Sequence, residues 1–186
     1  MHSPTTLIVY HSAAGSTEQL AKAIYAGATE IDSAALIALN PADIVAGRYV
    51  NEGVLQQVDQ ASAIIFGTPT YMGGASAQFK AFADATSERW CEQRWADKLA
   101  AGFTIGANLS GDQLSTLTYL SIFSAQHGML WCGLDLAGGY DAEGRNRLGC
   151  QLGLTAHSLD GQIHEIDQKT AFYLGQRIAR LAQRFK

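Results

Sequence analysis

Short apolar runs alternate with longer amphipathic segments along the chain. The first run, residues 7–10 (LIVY), is short and rich in branched side chains, as expected of a parallel strand buried on both faces. In the segment after it, Leu20, Ile24 and Ala28 recur every four residues and form one apolar helical stripe. Such alternation is typical of βαβ units, so the pattern predicts a parallel sheet covered by helices.

The same pattern predicts four more strands with helices between them, and hence one doubly wound α/β domain over residues 1–186. The further strands are expected over residues 34–39, 63–67, 99–105 and 130–132. One helix is expected to begin near residue 17, and others to cover residues 52–60, 76–87, 112–127 and 168–185. Residues 138–161 are Gly-rich and poorly periodic, and a structureless stretch of that length inside a domain is usually functional.

Composition places the chain among soluble globular proteins. Hydrophobic residues make up 47% of the sequence, which argues against disorder. No apolar stretch reaches the length of a membrane span and the N-terminus lacks a secretory layout, so we expect a cytoplasmic protein without a membrane partner. Cys91, Cys132 and Cys150 are widely spaced and odd in number, which fits a reducing compartment rather than a disulfide framework or a zinc site.

The net charge of the chain is −4, from 17 acidic and 13 basic residues. Basic residues do not cluster, except along the last predicted helix, so no nucleic-acid partner is expected. An electron carrier that docks by charge usually shows a stronger field of one sign. The mild charge therefore argues against a dedicated carrier.

The loop after the first predicted strand is a candidate anion site. Residues 12–17 (SAAGST) are almost all small and lead into a helix, whose N-terminus presents free N–H groups. Ser12, Ser16 and Thr17 add hydroxyl donors, and the loop contains neither Lys nor Arg. It matches neither a P-loop nor a dinucleotide fingerprint, which leaves a monophosphate. The alternative is an ordinary strand-to-helix turn with Thr17 as the N-cap.

The sequence supports neither a catalytic serine nucleophile nor a metal site. Ser12 and Ser110 lack the surroundings of a nucleophile elbow, and no ordered Asp and His partners follow them. No group of His, Cys and carboxylate residues has the spacing of metal ligands, so no metal is expected. The chemistry must then come from a cofactor, and a flavin supplies both hydride and single-electron transfer.

Three segments resemble a known family. Residues 10–18 (YHSAAGSTE) resemble the flavodoxin-type FMN phosphate loop. Residues 64–74 (IIFGTPTYMGG) and 125–129 (AQHGM) are similar to segments of the WrbA group, the flavodoxin-like NAD(P)H:quinone oxidoreductases. The likeness spans most of the chain in order. It implies a flavodoxin-like fold with a five-stranded parallel sheet in the order 2-1-3-4-5, FMN as cofactor, NAD(P)H as co-substrate and a quinone or similar acceptor.

Residue by residue, the resemblance implies three FMN-binding loops. The phosphate would be held by Ser12, Ala14, Gly15, Ser16 and Thr17. The edge of the isoalloxazine ring would be covered by Pro69, Thr70, Tyr71, Met72 and Gly73. Its other side would face Ile105, Gly106, Ala107, Asn108 and Ser110.

Two further positions are implied to act on the flavin or substrate. His127 matches a histidine that the family places near the flavin, and is the candidate catalytic residue. Trp90 matches an aromatic residue that reaches a neighbouring subunit's active site, and is the candidate substrate-binding residue. From the residues alone, an ordinary helix C-terminal position is the preferred interpretation of His127, whereas Trp90 is equally an ordinary aromatic of the core or of a dimer surface.

The sequence also departs from the WrbA pattern. The third loop, residues 105–111 (IGANLSG), has fewer hydroxyl residues than is typical, and Ala14 stands where an aromatic is common. Residues 146–149 (NRLG) also differ. These departures leave the nicotinamide and the acceptor open.

Three functions follow from the resemblance. The leading hypothesis is an FMN-dependent oxidoreductase, a homodimer or homotetramer, that transfers electrons from NAD(P)H to a quinone or similar acceptor. The second is an electron-transfer flavodoxin that passes single electrons between redox partners. The third is a flavin-binding regulator without turnover, because binding and catalysis would use the same loops.

Overall fold

The strands and helices of the computed structural model, which describes residues 5–185, follow one another in βα alternation. The strands are β1 (Thr6–Tyr10), β2 (Ala34–Ala38), β3 (Ile44–Val45), β4 (Arg48–Tyr49), β5 (Ala63–Tyr71), β6 (Gly74–Ala75), β7 (Leu99–Gly106), β8 (Leu130–Trp131) and β9 (Leu154–His157). The helices are α1 (Ser16–Thr29), α2 (Glu52–Gln60), α3 (Ala77–Ala85), α4 (Ser87–Cys91), α5 (Gln113–Gln126) and α6 (Glu165–Arg184). None of these helices is both long enough and apolar enough to cross a bilayer.

The main sheet has the strand order β2-β1-β5-β7-β8, and all four pairings along it are parallel. When the short β3–β4 hairpin and the β5–β6 turn are set aside, this is the predicted order 2-1-3-4-5. The fold class is therefore confirmed as flavodoxin-like α/β. β1 lies between β2 and β5, with Ile8 level with Leu36 of β2 and Ile65 of β5.

The fifth strand of the sheet is divided into two parts. β8 pairs with the first two residues of β7, whereas β9 pairs with the last four, from Phe103 to Gly106. Residues 132–153 leave the sheet between the two parts. The interpretation of residues 138–161 as structureless is thus wrong for β9, whose four residues are too few to show a period against a Gly-rich background.

The other predicted ends of strands and helices agree with the structure to within a few residues, and the end of β5 is the informative exception. β5 continues four residues beyond the predicted end at Gly67, through the Thr-Pro-Thr-Tyr segment. Pro69 remains within the strand, although a proline cannot donate a ladder hydrogen bond. Part of the predicted second flavin loop is therefore regular strand.

Two apolar layers cover the sheet, as expected for strands buried on both faces. Ile8 and Ile65 point towards α1 and α6, and Leu7 and Phe66 point towards α3 and α5. The second layer is rich in aromatic rings in mutual contact, among them Phe66, Phe79, Phe82, Trp95 and Phe123.

Helices α1 and α6 cross at close range because each presents a glycine at the crossing. A Cβ atom built on Gly175 would lie 1.9 Å from the carbonyl oxygen of Ile24, and one built on Gly27 would lie 1.9 Å from that of Phe172. Both neighbours are backbone atoms, which cannot be displaced without moving a helix. The crossing therefore holds the C-terminal half of α1 close against α6.

We expect Gly175→Ala to lower the free energy of unfolding by about 1–3 kcal/mol or more, because the added methyl overpacks a backbone contact. Gly53→Ala in α2 is the matched control, since its nearest neighbour would be an Asn51 side-chain atom at 3.4 Å. There the usual helix preference for alanine applies, and stability should stay level or rise. Urea unfolding followed by circular dichroism measures both; equal stability of the two variants would contradict the proposed role of the crossing.

Candidate functional site

The loop between β1 and α1 wraps the N-terminus of α1. Gly15 has φ +89°, a left-handed conformation that a side chain would strain, and a Cβ atom built there would meet nothing within 4 Å. The Ser12 hydroxyl accepts hydrogen bonds from the N–H groups of Gly15, at 3.1 Å, and Glu18, at 3.3 Å. Ser12 thus performs the local capping. The alternative that Thr17 is the N-cap is wrong, since Thr17 is already the second residue of the helix.

Thr17 has a feature that fits a phosphate ligand. Its side chain is buried, and its hydroxyl finds no hydrogen-bond partner among the described residues. An unsatisfied buried hydroxyl costs about 1–3 kcal/mol, which an anion oxygen in the loop would relieve. The first N–H groups of α1 also lack helical acceptors and favour a negative charge there. The loop therefore fits the phosphate of FMN.

The second predicted loop is a tight hairpin between β5 and β6. Met72 and Gly73 both have positive φ, +48° and +77°, as in the two-residue turns that match the twist of paired strands. The Ser115 hydroxyl of α5 donates to the Gly73 carbonyl at 2.6 Å and holds the turn. Tyr71 and Met72 are exposed at its tip, where their side chains are available to a flat ring.

Thr70 is placed differently from its neighbours in that loop. Its hydroxyl lies 2.8 Å from that of Thr104 on β7 and 2.8 Å from that of Thr116 on α5. Thr68, two residues earlier, is fully buried, and its carbonyl accepts a hydrogen bond from Thr104 at 2.7 Å. The Thr70 side chain is therefore engaged beneath the loop, and what it offers a ligand is backbone.

The third predicted loop, residues 105–111, begins within β7, where Ile105 is buried in the core and does not face a ligand at the edge. The rest of this loop is anchored by a side chain that was not among the predicted site residues. Gln113 is buried at the start of α5, and its amide nitrogen donates to the Asn108 carbonyl at 3.1 Å. Its amide oxygen accepts from the N–H of Ala156 in β9 at 3.2 Å. Gln113 thereby ties the loop to the split fifth strand. Ala107, Asn108 and Ser110 themselves are exposed.

A groove of about 790 Å³ opens beside this loop. One wall comes from the start of α5, with Ser110, Leu114 and Thr118, and the other from residues 148–152. Its lining mixes apolar and hydroxyl groups, as small-molecule sites commonly do. Of the residues that line this groove, only Ser110 is among the predicted site residues.

The loop after β9 completes the carboxyl edge of the sheet. The N–H of Ser158 donates to the Gly106 carbonyl at 3.1 Å, and Gln19 of α1 donates to the Gly161 carbonyl at 3.0 Å. Buried Asp167 supports this loop by accepting a bidentate pair of hydrogen bonds from Arg147, at 2.7 and 2.8 Å. The NRLG segment, noted as a departure from the family pattern, thus anchors residues 132–153 to α6.

His127 lies at the opposite end of the sheet from these loops. It follows the last residue of α5, a helix about 21 Å long whose first residue adjoins the third loop. Its side chain is 2% exposed, stacks on Trp95 with ring centroids 4.3 Å apart, and has Nε2 2.9 Å from the Thr86 hydroxyl. Burial lowers the pKa of His127 to about 4, against a small opposing effect of Asp59. The structure does not bring His127 together with the three loops of its own chain.

Trp90 lies near His127 and is 45% exposed. Both residues line a shallow cavity of about 270 Å³ between α4 and the end of α5. The segment is held by Asp59, which accepts from buried Arg89 at 3.0 Å and from the Trp95 ring nitrogen at 2.7 Å. Within one chain, the two positions implied to act on the flavin are thus close to each other and far from the loops.

Comparison with known proteins gives one family. The family model for NADPH-dependent FMN reductase matches residues 11–135, a range that includes the three loops, Trp90 and His127. Flavodoxin FldP of Pseudomonas aeruginosa is 37% identical over 185 residues, covering 95% of this chain and 96% of that protein. An NAD(P)H dehydrogenase (quinone) of Archaeoglobus fulgidus is 31% identical over 193 residues, with coverages of 96% and 97%.

A solved structure agrees with the fold over its whole length. The flavodoxin-like, WrbA-like protein of Agrobacterium tumefaciens is 40% identical and superimposes with a TM-score of 0.77. The match covers 99% of this chain and 100% of that one. The split fifth strand and the residue 132–153 segment therefore lie within the matched range.

We expect acid to destabilise the protein as the pH falls from about 6.5 towards 4, because the unfolded chain protonates His127 before the folded chain does. The loss is at most about 1.4 kcal/mol per pH unit from this residue. Urea unfolding of the wild type and of His127→Gln at several pH values measures it, and the variant should show a shallower dependence. An unchanged slope in His127→Gln would show that the buried imidazole does not titrate in this window.

Proposed function

The chain belongs to the NADPH-dependent FMN reductase family, and from this we propose that it is an FMN-dependent oxidoreductase that transfers electrons from NAD(P)H to a quinone or similar small acceptor. The observation that supports the proposal most directly is the β1–α1 loop. It presents a left-handed Gly15, a helix N-terminus and the unpartnered buried hydroxyl of Thr17 in one place. The loop lies within the matched family range.

The residues of the three loops have separate tasks in this proposal. Ser16, Thr17 and the first turn of α1 hold the phosphate, while Ser12 keeps the loop closed around it. Tyr71 and Met72 cover the ring from the hairpin tip, and backbone from the second and third loops faces its polar rim. When bound, FMN supplies hydride and single-electron transfer chemistry. The chain's residues bind, orient and exclude water, so no acid–base side chain is required.

The groove beside the third loop is the proposed entrance for the acceptor. Its hydroxyl groups and Leu114 suit a small aromatic molecule with polar oxygens, such as a quinone. The family member of Archaeoglobus fulgidus is named for a quinone. Three free cysteines, Cys91, Cys132 and Cys150, support a reducing compartment and hence the cytoplasm.

An electron-transfer flavodoxin is the second candidate, and one observation favours it. The Pseudomonas aeruginosa relative, at 37% identity over almost the full length, is named a flavodoxin. The net charge of −4 gives less steering field than a carrier of this kind usually has. The two candidates differ in whether reduced nicotinamide reacts directly with the flavin of this protein.

We also propose that two copies associate through α5. The helix sequence QLSTLTYLSIFSAQ contains no charged residue, although Leu114 and Ile122 are exposed on its outer side. A surface helix normally carries charge on its solvent face, so an uncharged face indicates a covered one. A twofold antiparallel arrangement of two α5 helices would bring Trp90 of one copy towards the third loop of the other. This would reconcile the position of Trp90 with a role in substrate binding, and that of His127 with one beside the flavin.

The protein purified with FMN should oxidise NADPH or NADH slowly alone and rapidly with benzoquinone. Loss of reduced-nicotinamide absorbance measures this, after the bound-flavin spectrum has been recorded. Bound flavin that neither nicotinamide reduces, but that dithionite reduces through a one-electron stage, would overturn the reductase and favour the carrier.

Thr17→Val tests the phosphate site in the same preparation. We expect about tenfold weaker FMN binding, because one hydrogen bond to a charged group is lost, and no loss of stability in the FMN-free protein. Thr6→Val is the matched control: Thr6 is a second buried threonine with an unpartnered hydroxyl, at the amino end of β1. Its FMN affinity should equal that of the wild type.

Ile122→Lys is expected to convert a dimer or larger assembly into monomers, because a charge on the uncharged α5 face cannot be buried without a partner. Light scattering coupled to size exclusion measures the mass. Lys22→Glu on α1 is a control surface change, at an exposed pair with Glu18, and should leave the mass unchanged. A wild type that is monomeric at micromolar concentration would contradict association through α5.

A further inference from the structure

The apolar layer that faces α3 and α5 turns polar where the strands approach the loops. Along β5, the side chains on this face are Ile64 and Phe66, followed by Thr68 and Thr70. Along β1, Val9 is followed on the same face by His11. β7 likewise reaches this edge with Thr104, which is fully buried. The change is confined to the last residues of each strand, immediately beneath the candidate flavin loops.

The hydroxyls beneath the second loop form a chain with a single allowed direction. Thr104 donates to the Thr68 carbonyl, because a carbonyl can only accept. Each hydroxyl has one proton, so Thr104 must accept from Thr70, and Thr70 must in turn accept from Thr116. The direction is therefore Thr116 to Thr70 to Thr104 to the Thr68 carbonyl. The chain joins α5, β5 and β7.

A second branch links the first and second loops. The Ser76 hydroxyl, at the N-cap of α3, lies 2.9 Å from Nδ1 of His11, and the Thr68 hydroxyl lies 3.1 Å from that of Ser76. The N–H of Ser76 donates to the Thr68 hydroxyl at 3.0 Å. His11 is buried, burial lowers its pKa, and the tautomer of its ring sets the direction of its hydrogen bond with Ser76. Thr68 then stands at the junction of both branches.

We propose that Thr104 and Thr116 are positioning residues of the flavin site, which act through Thr70 and Thr68 to fix the backbone of the second loop. The proposal rests on the FMN site described above. Neither residue contacts the ring edge, since both lie beneath the strand and their hydroxyls are bonded to it. Their effect on the flavin is therefore through the orientation of the peptide groups between Thr68 and Tyr71. A fixed dipole near the ring is worth more than one that reorients when charge develops.

A purely structural role explains the network less well. Buried hydroxyls add little net stability over apolar groups of the same shape, and the opposite end of the same layer is apolar. Thr6 shows that this fold accommodates a buried threonine hydroxyl that has no partner among residues 5–185. Satisfied hydroxyl networks mainly make a region rigid and its geometry unique. That property matters at the edge where a planar ligand must be aligned.

The test compares Thr104→Val, which keeps the shape and removes the hydroxyl, with Thr104→Ser, which keeps the hydroxyl. In Thr104→Val we expect faster amide hydrogen exchange at residues 68–75 in the FMN-free protein, about tenfold weaker FMN binding and a shifted flavin midpoint potential. Thr104→Ser should restore the potential and the exchange rates. Thr6→Val, a buried Thr→Val change at the far end of β1, should alter none of the three.

The outcomes separate this inference from the proposed function. Wild-type protein that binds no FMN would refute the proposed function, while hydrogen exchange at residues 68–75 would still report on the network. Unchanged exchange in Thr104→Val, or an unchanged potential with bound FMN, would overturn the positioning role. Equal changes in Thr104→Val and Thr104→Ser would also overturn it, since the effect would then follow side-chain packing and not the hydroxyl. If Thr104→Val does not fold, Thr116→Val tests the same chain from the helix side, with the same expected changes.

Discussion

The parallel pairing of β1, β5 and β7 is the constraint on which the rest of the molecule depends. Adjacent strands lie about 4.8 Å apart, so the loops that follow these three strands begin within roughly 10 Å of one another. Parallel strands end at the same edge, and the connecting helices must return along the faces. A ligand with an anionic group at one end and a planar ring at the other can therefore contact, at this edge, three segments that are far apart in the sequence.

Two features fix that edge from outside the sheet. The glycine crossing holds α1, the helix that follows the first candidate loop, close against α6 on one face of the sheet. On the other side, the division of the fifth strand lets residues 132–153 leave the sheet and form one wall of the groove. Arg147 and buried Asp167 hold this segment to the start of α6. The groove is thus shaped by an interruption in the sheet.

The chemistry of the site depends both on the side chains that are present at this edge of the sheet and on those that are scarce there. Among the side chains described at the three loops, hydroxyls and amides outnumber charged groups, and His11 beneath the first loop is buried, which lowers its pKa. Such a site orients a cofactor that brings its own reactivity. The opposite end of α5 holds Trp90 and His127, and its uncharged outer face offers a route by which a second copy would connect the two ends.

The pattern of apolar positions by itself determined the α/β fold class, because periodicity reports on contacts within one element, whereas the strand order and the three candidate flavin loops came from the resemblance to a known family. It also located β1, α1 and α2 to within a residue or two. It missed β9, which is too short for a period, and Gln113, whose two partners are 5 and 43 residues away. The sequence shows that Phe66, Thr68 and Thr70 alternate onto the same face of a strand. It does not show the hydrogen bonds that join Thr70 to Thr104 and Thr116. The sequence placed His127 at the end of a helix, but only the tertiary structure decided that this end of α5 lies far from the three loops, because the direction of a helix relative to a site depends on how the whole sheet is wound.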